Sequence, residues 1–171
     1  MNRIFLDMDG VIVDFDGFVK KTGMTSKQIK TVPGCYVEMG PIVGAIEGVK
    51  KLIALGYEVH IATKPATGIA HTYSDKALWV FKWLPELTNR IIITHDKGLL
   101  GDIYDFLIDD RPQKGNCMKF PGTLLAYSEG KFGWPQILEL FEGLVGYRKT
   151  HHELTKGHVH LGSQLAKEIK G

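Results

Sequence analysis

The sequence has few cysteines, no long apolar run and no recognisable leader. Its two cysteines, Cys35 and Cys117, are far apart and lie in no CxxC or Cys/His ligand pattern. This argues against a disulfide framework and favours reduced thiols. No apolar stretch approaches the length needed to span a membrane, and the amino terminus lacks the charged and apolar regions of a secretory signal. We therefore expect a cytoplasmic protein without a membrane segment.

The chain also has little net charge. A formal charge of +2 over 171 residues is too small to attract nucleic acids or membranes by bulk electrostatics. Its apolar content of 44% and charged content of 23% are typical of globular proteins. This length favours one domain with a substantial core.

Apolar segments with two different periodicities alternate along the chain. Five of them predict strands: residues 3–7, "YEVHIAT", "RIIIT", "DFLIDD" and "TLLAYS". Helical spacing predicts three helices: "GAIEGVKKLIALG", "SDKALWVFKWLPEL" with Ser74 at its start, and "WPQILELFEGLV". This alternation predicts a three-layer, doubly wound α/β fold with a parallel sheet covered on both faces.

Two segments interrupt this pattern. Glycines and prolines break up residues 16–41, where we predict a short helix capped by Ser26 and too little apolar character for core packing. We interpret this segment as a small cap inserted after the first strand. The α/β core would then comprise residues 1–15 and 42–147, and residues 148–171 would form a polar tail.

Polar side chains follow four of the predicted strands. Because sites in parallel α/β sheets form beyond the carboxyl ends of the strands, these side chains should share one edge. They are Asp7 and Asp9, Thr63 and Lys64, Lys97, and the pair Asp109 and Asp110.

Carboxylates so close together repel one another, and burying them unpaired is costly. A hard divalent cation would relieve this repulsion, and Mg²⁺ favours carboxylate, water and phosphate oxygens. We therefore expect Mg²⁺ beside Asp7, Asp9 and the Asp109–Asp110 pair. The Lys97 ammonium and the Thr63 hydroxyl could bind a phosphate dianion next to it.

These residues resemble the four motifs of the haloacid dehalogenase superfamily. "DMDGVIVDF" is similar to motif one, Thr63 to motif two, Lys97 to motif three and "LIDD" to motif four, in the family's order. "THDKGLL" and "FLIDDRP" extend the resemblance to the 5′(3′)-deoxyribonucleotidases. The chain departs from that family at Lys64, where a small hydroxyl residue is usual, and at His95, where arginine is usual.

The resemblance implies roles for the acidic residues. Asp7 would be the nucleophile that forms an aspartyl-phosphate, and Asp9 the general acid and base. Gly10 would permit the tight turn between strand and site. Asp7, the Asp9 carbonyl and Asp110 would bind Mg²⁺, while Asp109 would hold a metal-bound water or Lys97.

The resemblance also implies substrate-binding residues. Thr63, Lys97 and Asp9 would contact the phosphate, and Lys64 could add a second cation. Phe15 matches an aromatic residue that packs on the nucleobase, although core packing is an equal alternative for it.

These expectations favour a Mg²⁺-dependent phosphate monoester hydrolase acting on deoxynucleoside or nucleoside monophosphates. The alternatives are a broad phosphatase of small molecules or nucleic-acid ends, and a non-catalytic phosphate-binding protein of the same fold. The expected partner is a small phosphate ester, with nucleic acid only as an end substrate. Homodimer formation stays open.

Overall fold

A computed structural model describes residues 2–147, so the predicted tail at 148–171 lies outside the described residues. Its five strands are β1 Arg3–Leu6, β2 Glu58–Thr63, β3 Ile91–Ile93, β4 Phe106–Asp109 and β5 Thr123–Ala126. Its α-helices are α1 Phe15–Thr22, α2 Ser26–Thr31, α3 Ala45–Ala54, α4 His71–Trp83 and α5, which occupies 134–147. None of the helices in this part of the chain is long and apolar enough to cross a bilayer.

The strands form one parallel sheet in the order β3-β2-β1-β4-β5, which confirms the predicted fold class. Strand β1 lies at the centre, and Leu6 is in register with Ile61 of β2 and Ile108 of β4. The backbone N–H of Asp7 donates to the Ile108 carbonyl at 2.9 Å. The carboxyl ends of β1, β2 and β4 therefore lie side by side.

The two faces of the sheet are covered differently. On one face, Ile4 and Leu6 belong to a large buried cluster that includes apolar residues of α3, α4 and α5. On the other face, Phe5 belongs to a small cluster with Cys117 and Phe120. Short 3₁₀ helices, Lys97–Leu99 and Cys117–Lys119, stand in the connections that follow β3 and β4. Both faces are covered, but the second has a thinner layer.

Two predicted helix caps are wrong. Helix α4 begins at His71 rather than at Ser74, and the Ser74 hydroxyl donates to the His71 carbonyl at 2.9 Å within the first turn. Helix α2 has Thr25 as its N-cap, in a reciprocal capping box with Gln28, so Ser26 is the first helical residue. In α2 the better-placed cap is the residue just before the serine, whereas α4 begins after Ala70 without a side-chain cap.

The segment 16–41 was predicted to be too polar for core packing, and this prediction is wrong. Ile29, Tyr36 and Met39 are essentially inaccessible to solvent and join the large cluster. The indole N–H of Trp79 donates to the Met39 carbonyl at 2.9 Å, which ties the segment to α4. A few apolar side chains are enough to anchor a short, mostly polar segment. Its interpretation as a cap stays a prediction.

Candidate active site

A tight turn after β1 places the first acidic residues. Gly10 has a φ of +81°, and a Cβ built on it would lie 2.5 Å from Oδ2 of Asp110. Only glycine combines this backbone conformation with so close an approach. The turn therefore brings Asp7 and Asp9, both less than a tenth exposed, next to the end of β4.

Lys97 joins the ends of two strands. Its Nζ lies 2.7 Å from Asp7 Oδ1 and 2.6 Å from Asp109 Oδ2, and the side chain is almost completely buried. Burial opposes the charged ammonium, but the two carboxylates outweigh it and raise the pKa of Lys97. Burial, reinforced by the charges of Asp109 and Asp9, raises the pKa of Asp7 to about 6 against the opposing effect of Lys97.

A second buried lysine, which the sequence analysis missed, holds the other acid. Nζ of Lys76 on α4 lies 2.6 Å from Asp9 Oδ1 and 3.0 Å from Thr63 Oγ1, and the side chain is fully buried. The Tyr36 hydroxyl donates to Asp9 Oδ2 at 3.3 Å, and Lys76 Nζ stands 4.4 Å from the centroid of the Tyr36 ring. Burial, followed by the nearby Asp9 charge, raises the pKa of Tyr36, so its hydroxyl remains a donor.

The sequence contained a signal for Lys76. It stands three and four residues before Trp79 and Val80, which are both fully buried. A lysine on the apolar stripe of an amphipathic helix requires a buried anion, because an unpaired buried charge is costly.

The two acids that end β4 differ in how many donors they meet. Asp109 accepts from Lys97, from the backbone N–H of Arg111 at 2.7 Å and from the Cys117 thiol at 3.2 Å. Burial and the Asp109 charge raise the pKa of Cys117 to about 12, so the thiol stays protonated. By contrast, Oδ1 of Asp110 is buried and has no hydrogen-bond partner among the described residues.

This difference tests whether the site suits a divalent cation. Carboxylate oxygens of Asp7, Asp109 and Asp110 lie within 4.8 Å of one another. Burial raises the pKa of Asp110 although Arg111 Nε lies 3.3 Å from its other oxygen. A buried carboxylate oxygen without a donor suits a hard cation, so the residues present fit Mg²⁺. The oxygens of Asp109 already accept hydrogen bonds from three donors, so Asp110 is better suited than Asp109 to bind the metal ion.

Asp7, Asp9, Asp109 and Lys97, all buried, lie at the bottom of a cavity of about 410 Å³. The predicted site residues that line this cavity are Asp7, Asp9, Lys64, Lys97 and Asp109. Further lining residues include Lys27, Lys30, Tyr36, Arg111 and Lys114. The structure therefore brings together predicted residues from β1, β2 and β4 and from the segment after β3.

Two predicted substrate-binding residues, Phe15 and Thr63, do not line the cavity, and His95, where the family resemblance fails, also lies outside it. Phe15 is buried in the core, with its ring 6.1 Å from that of Tyr36, and is not among the lining residues. Thr63 is buried, and its hydroxyl accepts a hydrogen bond from Lys76 Nζ. His95 is exposed, 3.4 Å from the Tyr73 hydroxyl. The proposed substrate contacts of Phe15 and Thr63 stay predictions.

Comparisons with known proteins identify the family of this chain. Residues 21–131 match the family model described as 5′ nucleotidase, deoxy (pyrimidine), cytosolic type C protein. A putative 5′(3′)-deoxyribonucleotidase of Bordetella bronchiseptica is 32% identical, and the match covers 64% of this chain and 74% of that protein. The human mitochondrial 5′(3′)-deoxyribonucleotidase is 29% identical, and the match covers 64% of this chain and 62% of that protein.

Among solved structures, a haloacid dehalogenase-like family hydrolase from Xanthomonas campestris shares the fold. It is 14% identical, with a TM-score of 0.53, over 86% of this chain and 94% of that one. The family model covers more than half of the present chain. The chain therefore belongs to the 5′ nucleotidase, deoxy (pyrimidine), cytosolic type C family, a family of phosphatases.

Proposed function

We propose that this protein hydrolyses the phosphate monoester of deoxynucleoside or nucleoside monophosphates, with Mg²⁺ as cofactor and Asp7 as the nucleophile. The main observation that supports this proposal is that two neighbouring acids form ion pairs with two different buried lysines. Lys97 bonds to one oxygen of Asp7, whereas Lys76 bonds to Asp9. The two carboxyl groups are thus oriented separately, as two separate chemical roles require.

The roles follow from what each group contacts. A carboxylate oxygen of Asp7 attacks phosphorus, an acyl phosphate bond forms and the bond to the ester oxygen breaks. Asp9 donates its proton to the departing oxygen. Water then attacks the phosphorus and gives a proton to Asp9, the bond from phosphorus to Asp7 breaks, and inorganic phosphate leaves.

The other buried groups position these two acids. Lys76 and the Tyr36 hydroxyl contact different oxygens of Asp9, so they restrict rotation of its carboxyl group. Lys97 contributes a positive charge where the transferring phosphoryl group would lie. The Thr63 hydroxyl, oriented by Lys76, can donate to a phosphate oxygen.

Asp7, the Asp9 carbonyl and Asp110 would hold the Mg²⁺ ion. When bound, the ion supplies positive charge that offsets the carboxylates and the phosphate. The oxygen of Asp110 that has no partner among the described residues supports this assignment.

Phosphate release from a panel of 5′- and 3′-mononucleotides and sugar phosphates, with Mg²⁺ and with EDTA, tests the proposal. We expect metal-dependent release concentrated on nucleotides, and a loss of at least about 10⁴-fold in Asp7→Asn. Asp16→Asn is the matched control, because Asp16 is exposed on α1. Equal rates on all esters would favour a broad phosphatase. No release from any ester would favour a non-catalytic binding protein.

A further inference from the structure

We propose that the cavity binds a small phosphate ester carrying a second phosphate group, which lysines at the cavity mouth hold away from the reacting one. The proposal rests on the proposed function, because the first phosphate is the one that is hydrolysed. The relevant side chains, which we call the rim lysines, are Lys27, Lys30, Lys64 and Lys114.

The charges that line the bottom of the cavity or lie behind it are already paired with one another. Four carboxylates, those of Asp7, Asp9, Asp109 and Asp110, contact three cations, those of Lys76, Lys97 and Arg111. A divalent cation and a phosphate dianion carry equal and opposite charges. The bottom of the cavity therefore keeps its nearly neutral balance when both are bound, and it needs no cation from the rim.

The rim lysines, in contrast, have no carboxylate partner within 4.0 Å in the described part of the chain. Lys30 is half-buried, and its Nζ stands 5.4 Å from the centroid of the Phe15 ring. Burial lowers the pKa of Lys30; the charge of Asp9 opposes this effect, and the charges of Arg111, Lys76 and Lys114 add to it. Unmatched positive charge therefore accumulates at the mouth.

The rim lysines come from separate parts of the chain that meet around one opening. Lys27 and Lys30 are on α2, Lys64 follows β2 and Lys114 follows β4. The acids that line the same cavity are Asp7, Asp9 and Asp109, all at its bottom. Anionic groups of a ligand therefore meet carboxylates and cations at the bottom but cations alone at the mouth.

This distribution of charge favours one class of ligand. Lysines bind phosphate through charge-assisted hydrogen bonds, and a cavity mouth of one sign concentrates ligands of the opposite sign. The volume of about 410 Å³ lies within the range of small-molecule sites. A nucleoside 3′,5′-bisphosphate or a sugar bisphosphate carries the two separated phosphates that this arrangement accommodates.

The test compares kcat/KM for matched pairs: a deoxynucleoside 5′-monophosphate with its 3′,5′-bisphosphate, and fructose 6-phosphate with fructose 1,6-bisphosphate. A 5′-phosphorylated oligonucleotide is a further arm. We expect at least one bisphosphate to exceed its monophosphate about tenfold at low salt, with the difference shrinking as salt rises. Lys30→Gln/Lys114→Gln should lose most of this preference.

Lys50→Gln/Lys131→Gln is the matched control, because it removes the same charge from exposed lysines outside the cavity. This control should keep the preference for the bisphosphate. Calorimetric titration of Asp7→Asn with each member of the two pairs measures binding without turnover, and the bisphosphate should bind more tightly.

Equal kcat/KM and equal binding within each pair would overturn the inference while leaving the proposed function intact. If only the 5′-phosphorylated oligonucleotide had a higher kcat/KM than the monophosphate, the inference would also be overturned, because the lysines would then bind a polymer backbone. Tighter binding of a bisphosphate without Asp7-dependent hydrolysis of any ester would instead support the second-phosphate site and contradict the proposed function.

Discussion

The parallel strands have an amino-terminal end and a carboxyl-terminal end, here called the amino edge and the carboxyl edge of the sheet. Each carries a buried aspartate beside a cation, but the pKa values of the two aspartates shift in opposite directions. At the amino edge, Asp105 accepts from the backbone N–H of Arg3 at 2.8 Å, from Arg3 Nε at 2.9 Å and from the backbone N–H of Asp102 at 2.9 Å. Burial opposes ionisation there, but the hydrogen bonds from Arg3 and Asp102 outweigh it and lower the pKa of Asp105.

At the carboxyl edge, Asp7 is buried to a similar degree and also contacts a cation, Lys97. It shares that lysine with Asp109 and lies close to Asp9, so burial and like charges raise its pKa to about 6. A carboxylate saturated with donors stabilises the fold, whereas one that shares a single donor can still bind or attack a ligand. The number of donors that each carboxylate meets therefore distinguishes Asp105, which stabilises the fold, from Asp7, which faces the cavity.

The largest expected effect that sharpens this comparison is on turnover. Asp9→Asn, at the carboxyl edge, should lower kcat/KM by about 10³-fold or more, because the leaving oxygen loses its proton donor. Asp105→Asn, at the amino edge, should keep kcat/KM within about twofold while the protein is folded. Steady-state phosphate release from a mononucleotide measures both variants. If kcat/KM fell by a similar factor in Asp9→Asn and Asp105→Asn, the two edges would not differ in function.

The next largest effect concerns the lysine that holds Asp9. Lys76→Met leaves a buried carboxylate without its cation, so the free energy of unfolding should fall by about 3–5 kcal/mol. Urea denaturation of the variant measures this loss. Adding Asp9→Asn to Lys76→Met should recover part of it, since no buried charge then remains unpaired. A double variant no more stable than Lys76→Met would show that the loss arises from packing alone.

The amino edge should stabilise the protein at neutral pH. The folded pKa of Asp105 is below its unfolded value, so its contribution is complete above about pH 4 and is lost as the pH falls through the folded pKa. Asp105→Asn should therefore lower the free energy of unfolding by about 1–3 kcal/mol at pH 7. Urea titrations at pH 7 and pH 3 should show the gap closing. A gap that is the same at both would contradict the ionic origin.

The carboxyl edge should behave in the opposite way without metal. The folded pKa of Asp7, at about 6, is above its unfolded value, so ionised Asp7 destabilises the fold and this cost develops as the pH rises from about 4 to 6. In EDTA, Asp7→Asn should be more stable than the wild type by about 1–2 kcal/mol at pH 8 and equal to it near pH 4. Lower stability of the variant at pH 8 would show that Asp7 is a structural partner of Lys97.

Sequence reasoning predicted the carboxyl edge well because its signals are local. Asp7, Thr63 and Asp109 each end an apolar run with strand character, and parallel pairing brings such ends together. Different roles were also predicted for Asp109 and Asp110, and these roles stay predictions; the structure shows that the two acids differ in their hydrogen-bond donors. The backbone N–H of Arg111 and the thiol of Cys117 both donate hydrogen bonds to Asp109, and both residues lie in the chain after β4.

The features that were missed depend on contacts between distant segments. Lys76 is separated by 67 residues from Asp9, so no local pattern joins them. Burial of Tyr36 and Met39 depends on packing against α4, which outweighs the polar composition around them. The predicted start of α4 was wrong for a local reason. Ser74 resembles an N-cap, but its hydroxyl donates to the His71 carbonyl within the first turn of the helix.

The smallest expected effect concerns Lys64, which directly follows β2. Lys64 lines the cavity but is exposed, and it has no carboxylate within 4.0 Å in the part of the chain that the structure describes. An exposed lysine contributes less than about 1 kcal/mol to binding one charge, so Lys64→Ser should lower kcat/KM for a mononucleotide by less than about fivefold. The loss should appear in KM and shrink at high salt, whereas kcat should change little. A 100-fold loss in kcat would instead show that Lys64 contacts the phosphate that is transferred and takes part in the reaction.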